Sequence, residues 1–167
     1  MFTIMILTGL VLFAGYLDSG SKLLSSFGFQ KKKANVFNLV VLAPIVALFI
    51  VAIYRYLLVP IVTKFTGVPL DISDFDPIRG NLPVLLTTLI YVWISAACGE
   101  EIIFRGYFMT RFVKIFGTSA PAMVANVLLL GTFFGFIHFY QGITGQILSG
   151  ITGAMIATLF YLKKNDL

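Results

Sequence analysis

Glu100 and Glu101 stand just ahead of Arg105 in the run Gly99-Glu100-Glu101-Ile102-Ile103-Phe104-Arg105-Gly106. The chain's one histidine, His138, closes the run Phe134-Gly135-Phe136-Ile137-His138. Both runs are otherwise apolar. Ionisable groups at membrane depth are costly, so they face a protein interior or a wet cavity and serve chemistry or transport. Two carboxylates and an imidazole in neighbouring apolar segments are the parts of a hydrolytic site. A carboxylate can act as general base. An imidazole can bind a metal, polarise a carbonyl or steady an oxyanion. Glu101 and Arg105 are four apart with the acid first, the favourable order for an ion pair on a helix, and a guanidinium can hold a carboxylate bidentately. The same pair also reads as a structural salt bridge that neutralises two buried charges. Glu100 has Phe104 four residues on, so no such partner claims it. It reads as a general base or, more plainly, as a hydrated carboxylate at headgroup level. Phe134 lies one turn before His138 and shares its face. Taken singly, a histidine near a helix end such as His138 is more often an interfacial polar group. Asn126, on the same stripe, reads as an interhelical hydrogen-bonding residue.

These residues must be positioned by membrane helices. The 167 residues are 59% hydrophobic and 11% charged, against roughly 25% charged in ordinary soluble domains. The apolar runs are continuous and do not alternate, which argues against a β-barrel. The fold class is therefore all-α, a polytopic membrane bundle of about five transmembrane helices. The expected spans are 1–17, 36–62, 82–116, 120–140 and 143–162. No basic residue precedes the first apolar run, so it reads as a membrane helix and not as a secretory signal. The third segment exceeds the roughly 20 residues a span needs, so a break near Gly99 is expected. Residues 18–35 read as a polar loop whose Lys31-Lys32-Lys33 cluster, with Lys22, marks the cytoplasmic face. The net charge of +5 is a topology signal. Its basic residues are scattered through short loops, which excludes nucleic-acid binding. Arg55 interrupts the second segment and is expected near an interface, where its side chain can snorkel. The acids Asp71, Asp74 and Asp76 fit no calcium-loop spacing and read as a solvated loop. A single cysteine, Cys98, leaves no internal disulfide. Small residues recur at Gly145, Ser149, Gly153 and Ala157, and at Gly131 and Gly135, spacing that lets helix backbones approach closely in lipid. Two regions are expected: N-terminal helices with the basic loop over 1–81, and a core over 82–167. With the lysine loop inside, a simple antiparallel fourth segment sets His138 far from Glu100. A common site then requires a break at Gly99, a re-entrant second half or strong tilt.

Glu-Glu-x-x-x-Arg (Glu100, Glu101, Arg105, continued by Gly106), followed some thirty residues later by Phe-x-x-x-His (Phe134, His138), resembles the CPBP intramembrane protease family. This family, also called Abi, comprises CAAX prenyl endopeptidases and bacteriocin-processing enzymes. The resemblance covers roughly residues 82–167. It implies a multi-pass integral protein of a bacterial plasma membrane that hydrolyses a peptide bond in a membrane-associated, prenylated or leader peptide. It implies Glu100 as the water-activating base and His138 as a metal ligand or oxyanion stabiliser. Glu101 and Arg105 would order the site, and Phe134 would pack beneath the histidine. Both a zinc ion held by His138 and Glu100 and a glutamate-activated water without metal are compatible with it. The implied partners are membrane lipid and a peptide or protein substrate, with oligomeric state left open. The family's last motif, His-x-x-x-Asn or Asp on a final helix, has no counterpart here. The sequence therefore reads as a fragment cut before that helix or as a protein that lost it.

Two other functions fit some of these residues. One is a non-catalytic membrane regulator or scaffold of the same family, which the missing motif favours and the intact first two motifs oppose. The other is a transporter or channel subunit with Glu100, Glu101 and His138 as a proton relay.

Overall fold

The computed structural model describes residues 2–29 and 36–162. The lysine cluster 31–33 and the stretch 163–167 lie outside the described residues. Among the described residues five helices are long and apolar enough to cross a membrane: α1 (Ile4–Ser26), α2 (Val40–Thr66), α3 (Leu82–Phe116), α4 (Ala120–Ile137) and α5 (Phe139–Leu162). No strand occurs among the described residues. The chain is a multi-pass integral membrane protein with an all-α fold.

The residues expected as a loop after Leu17 are partly helical. A 3₁₀ turn at Gly20–Lys22 carries α1 on to Ser26, and Phe27 is fully buried. Its ring fills a space that two glycines leave open. A Cβ on Gly15 would come within 2.5 Å of the Phe27 ring, and one on Gly106 within 3.2 Å of it. Further along α1, Thr8 and Ile4 lie against Gly99, where a Cβ would meet them at 2.9 and 3.0 Å. α1 is thus seated on α3 over two small-residue contacts. An ion cluster fastens the far end: Asp18 Oδ2 forms an ion pair with Arg111 Nη2 at 2.5 Å and accepts a hydrogen bond from Lys114 Nζ at 3.3 Å.

Among the described residues three helical stretches are wound as π-helix: Asn38–Leu42, Tyr54–Leu58 and Trp93–Met109. Pro44 and Pro60 each follow two residues after the first two stretches. A proline lacks an N–H, and its ring crowds the carbonyl four residues back, so the ladder ahead of it opens into a wider turn. The third stretch, 17 residues long, holds Glu100, Glu101 and Arg105. The irregularity expected near Gly99 is therefore a change of winding that starts at Trp93, and the backbone runs through Gly99 without a turn. Hydroxyls bracket this segment: Ser95 donates to the Tyr91 carbonyl at 2.8 Å and Thr110 to the Gly106 carbonyl at 2.5 Å. In lipid such side chains satisfy carbonyls that an irregular helix frees.

α4 and α5 form the tightest hairpin. A Cβ on Gly135 would sit 2.5 Å from the Gln146 carbonyl oxygen, and one on Gly131 3.0 Å from that of Gly150. Asn126, fully buried, hydrogen-bonds the Tyr161 hydroxyl across the hairpin. α2 joins the bundle at its C-terminal end. There Thr144, buried on α5, donates to the Val68 carbonyl at 2.5 Å and meets the Thr66 hydroxyl at 2.6 Å. The loop from Gly67 to Asn81 closes this end, with Leu70 against Gly145 and a 3₁₀ turn at Ser73–Ile78. Asn81 caps α3 by accepting the Val84 N–H at 3.2 Å.

Candidate active site

Arg105 is the centre of the cluster. It is 3% exposed, at a depth where an unpaired guanidinium is strongly unfavourable. Glu101 Oε1 lies 3.3 Å from its Nη1, the pairing that the four-residue spacing predicts. The Phe134 ring lies 5.6 Å from its guanidinium carbon, within cation–π range. Its other terminal nitrogen, Nη2, is buried without a hydrogen-bond partner among the described residues. Glu100, half-buried, lies within electrostatic reach of Arg105 and Glu101 and has no ion pair of its own among the described residues.

Phe134 links α3 to α4. Its ring meets Phe104 edge-on at 5.1 Å and His138 at 4.6 Å. Behind it Gly153 gives way, since a Cβ there would stand 3.0 Å from the Phe134 side chain. The sequence places Phe134 and His138 on one face, and the structure adds what lies beneath. His138 Nδ1 is 2.7 Å from the Phe134 carbonyl. A carbonyl only accepts, so Nδ1 carries the proton and Nε2 is the nitrogen left to act.

The contacts of Phe134 with Phe104 and Arg105 set the register of the antiparallel α3–α4 pair. One turn from Arg105 toward the start of α3 are Glu100 and Glu101. One turn from Phe134 toward the end of α4 is His138. Both steps lead to the same end of the bundle. The chain runs 16 residues from Glu100 to Phe116 and 18 from Ala120 to His138, or about 24 and 27 Å above the connecting turn at 1.5 Å per residue. No re-entrant half is needed. The conflict expected for a simple antiparallel fourth segment does not arise, because Glu100 sits near the middle of α3.

Tyr140 joins this cluster without any motif to announce it. Its ring is 5.7 Å from that of His138, and it lies within electrostatic reach of Glu100 and of Asp74 in the overlying loop. Gln141 Nε2 donates to its hydroxyl at 3.1 Å. Residues two apart on an α-helix do not face each other. Tyr140 reaches His138 because α4 ends at Ile137 and a 3₁₀ turn, Phe139–Gln141, follows. Gly153 was visible only as part of a small-residue stripe, and its contact with Phe134 gives that stripe a place in the site.

The donor set is smaller than a catalytic zinc ion needs. Zinc catalytic sites use three protein ligands. Among the described residues no three His, Cys, Asp or Glu side chains gather in one place. Glu101 is engaged by Arg105, which leaves His138 Nε2 and Glu100. These residues do not by themselves make a zinc site.

The fold and this cluster define a helical membrane protein with paired glutamates, a buried arginine and a histidine on adjoining helices. The family described as type II CAAX prenyl endopeptidase, Rce1-like, matches residues 82–167, the stretch that contains all of them. The chain belongs to this family, a family of proteases, in agreement with the CPBP resemblance of its motifs. Comparison with curated proteins and with solved structures returned no match.

Proposed function

We propose that this chain is an intramembrane endopeptidase that cleaves a membrane-associated peptide, prenylated or carrying a leader, in a bacterial plasma membrane. The observation that carries the reading is the register of α3 and α4, which sets unpaired Glu100 and His138 Nε2 at one level beside the Glu101–Arg105 pair. Family membership supports the reaction class.

In this reading Glu100 takes a proton from a water molecule, and the oxygen attacks the scissile carbonyl. Negative charge develops on the carbonyl oxygen. His138 steadies that oxyanion through its Nε2 edge. The proton held by Glu100 then passes to the leaving amine nitrogen as the C–N bond breaks. Glu101 and Arg105 hold the cluster in place, and Phe134 fixes the His138 ring. A zinc ion, if bound, would need a further donor beyond His138 and Glu100.

The test is site-specific cleavage of a membrane-tethered peptide library by wild type, Glu100→Ala and His138→Ala in matched membranes. Wild type should cleave at a defined bond. Both variants should accumulate in the membrane yet lose at least 10²-fold in rate, the scale of general acid–base and oxyanion contributions. Cleavage retained by either variant would sink the assignment. A folded wild type that cleaves nothing would favour the non-catalytic regulator.

A further inference from the structure

Gly145 and Ser149 belong to the small-residue stripe of α5, and both serve Gln141. A Cβ on Gly145 would overlap the Gln141 Cβ, so the glycine leaves room for that side chain. Ser149 Oγ donates to Gln141 Oε1 at 3.4 Å. With its oxygen taken up by Ser149, the amide turns its nitrogen to Tyr140, and Nε2 donates to the Tyr140 hydroxyl oxygen at 3.1 Å. A phenol oxygen that accepts in this way keeps its own O–H free to donate. That proton has no acceptor among the described residues, although Tyr140 lies within electrostatic reach of Glu100 and Asp74. The Tyr140 ring is half-exposed and stands 5.7 Å from that of His138, so an incoming ligand can reach it beside the histidine.

The rest of the cluster is short of such a donor. His138 holds its proton on Nδ1, against the Phe134 carbonyl, so Nε2 of the neutral ring carries a lone pair and no N–H. Arg105 has an unpartnered terminal nitrogen, but it is buried against the Phe134 ring. Ionised Glu100 and Glu101 only accept. A phenol holds its proton to about pH 10. We propose, resting on the reading of this site as a protease, that the Tyr140 O–H donates a hydrogen bond to the scissile carbonyl oxygen as negative charge develops there, and that Gln141 positions it. The proton stays on the phenol throughout, and the transfers through Glu100 are unchanged.

The experiment measures kcat and KM for the full chain in matched membranes, on one peptide that wild type cleaves from the membrane-tethered library. The proteins are wild type, Tyr140→Phe, Gln141→Leu, the double variant and Glu100→Ala. Tyr140→Phe keeps the ring against His138 and removes only a hydroxyl from a half-exposed side chain, so the core is not opened. It should lower kcat about 10²-fold, the scale of one oxyanion donor, with KM unchanged, because the bond counts only in the transition state. Gln141→Leu should lower kcat less than that. The double variant should fall no further than Tyr140→Phe alone, since the amide acts through the hydroxyl. A Tyr140→Phe protein with wild-type kcat, or one altered in KM alone, would overturn the inference, while Glu100-dependent cleavage by wild type would leave the protease reading standing. Losses that add in the double variant would overturn the positioning role of Gln141. A wild type without Glu100-dependent cleavage would refute the protease reading and the inference with it.

Discussion

The Glu101–Arg105 pair should respond asymmetrically to losing one member. Arg105 is 3% exposed and Glu101 34%. In Glu101→Leu the guanidinium stays charged at every accessible pH, remains buried, and already has one unpartnered nitrogen. Breaking a buried pair in this way costs about 3–5 kcal/mol. In Arg105→Leu the carboxylate left behind is one-third exposed at the end of the bundle that the polar loop closes, so it is partly hydrated. The Coulombic loss of such a half-exposed pair is about 1 kcal/mol or less. The lost contact with Phe134 adds about 0.5–1 kcal/mol. Arg105→Leu should therefore cost about 1–2 kcal/mol, clearly less than Glu101→Leu. The double variant removes both charges and should recover most of the loss, since replacing a buried ion pair by apolar residues is often near neutral. Equilibrium unfolding of the four proteins in one bicelle preparation gives the cycle. Equal losses in the two single variants would refute the burial argument. A double variant no more stable than Glu101→Leu would refute the claim that an uncompensated charge causes the loss.

Gly135→Ala should destabilise the α4–α5 hairpin by about 1–3 kcal/mol, the usual cost of overpacking, because its Cβ would press on the Gln146 carbonyl, which is backbone and cannot swing aside. Gly9→Ala meets nothing within 4 Å and should be neutral or stabilising by up to about 1 kcal/mol; the same unfolding measurement compares them. Asp71 accepts the Ser73 N–H at 2.9 Å and the Ser73 hydroxyl at 2.7 Å, and these bonds hold its carboxyl below the ordinary carboxylate value. A lowered value means the loop's order is present above the unfolded value, about 3.9, and fades as pH falls through the lower folded one. After correction for intrinsic rates, amide exchange at Ser73 should be constant from pH 7 to 5 and rise only below the ordinary range. A rise already between pH 7 and 5 would contradict this account.

Composition and continuous apolar runs sufficed for the all-α class and five spans, because a backbone in lipid must satisfy its own hydrogen bonds. Spacing along one helix made the Glu101–Arg105 and Phe134–His138 pairs legible, since a helix places residues four apart on one face whatever surrounds it. The motifs also carried the family. Whether those pairs meet was decided by interhelical register, and that rests on where Phe134 can lie. It needs Gly153 behind it and Phe104 and Arg105 in front, residues far apart in sequence with no local signal linking them. Tyr140 entered the site through the way α4 ends. Local periodicity is a property of the chain alone, whereas the height of one helix against another depends on side chains packing across space.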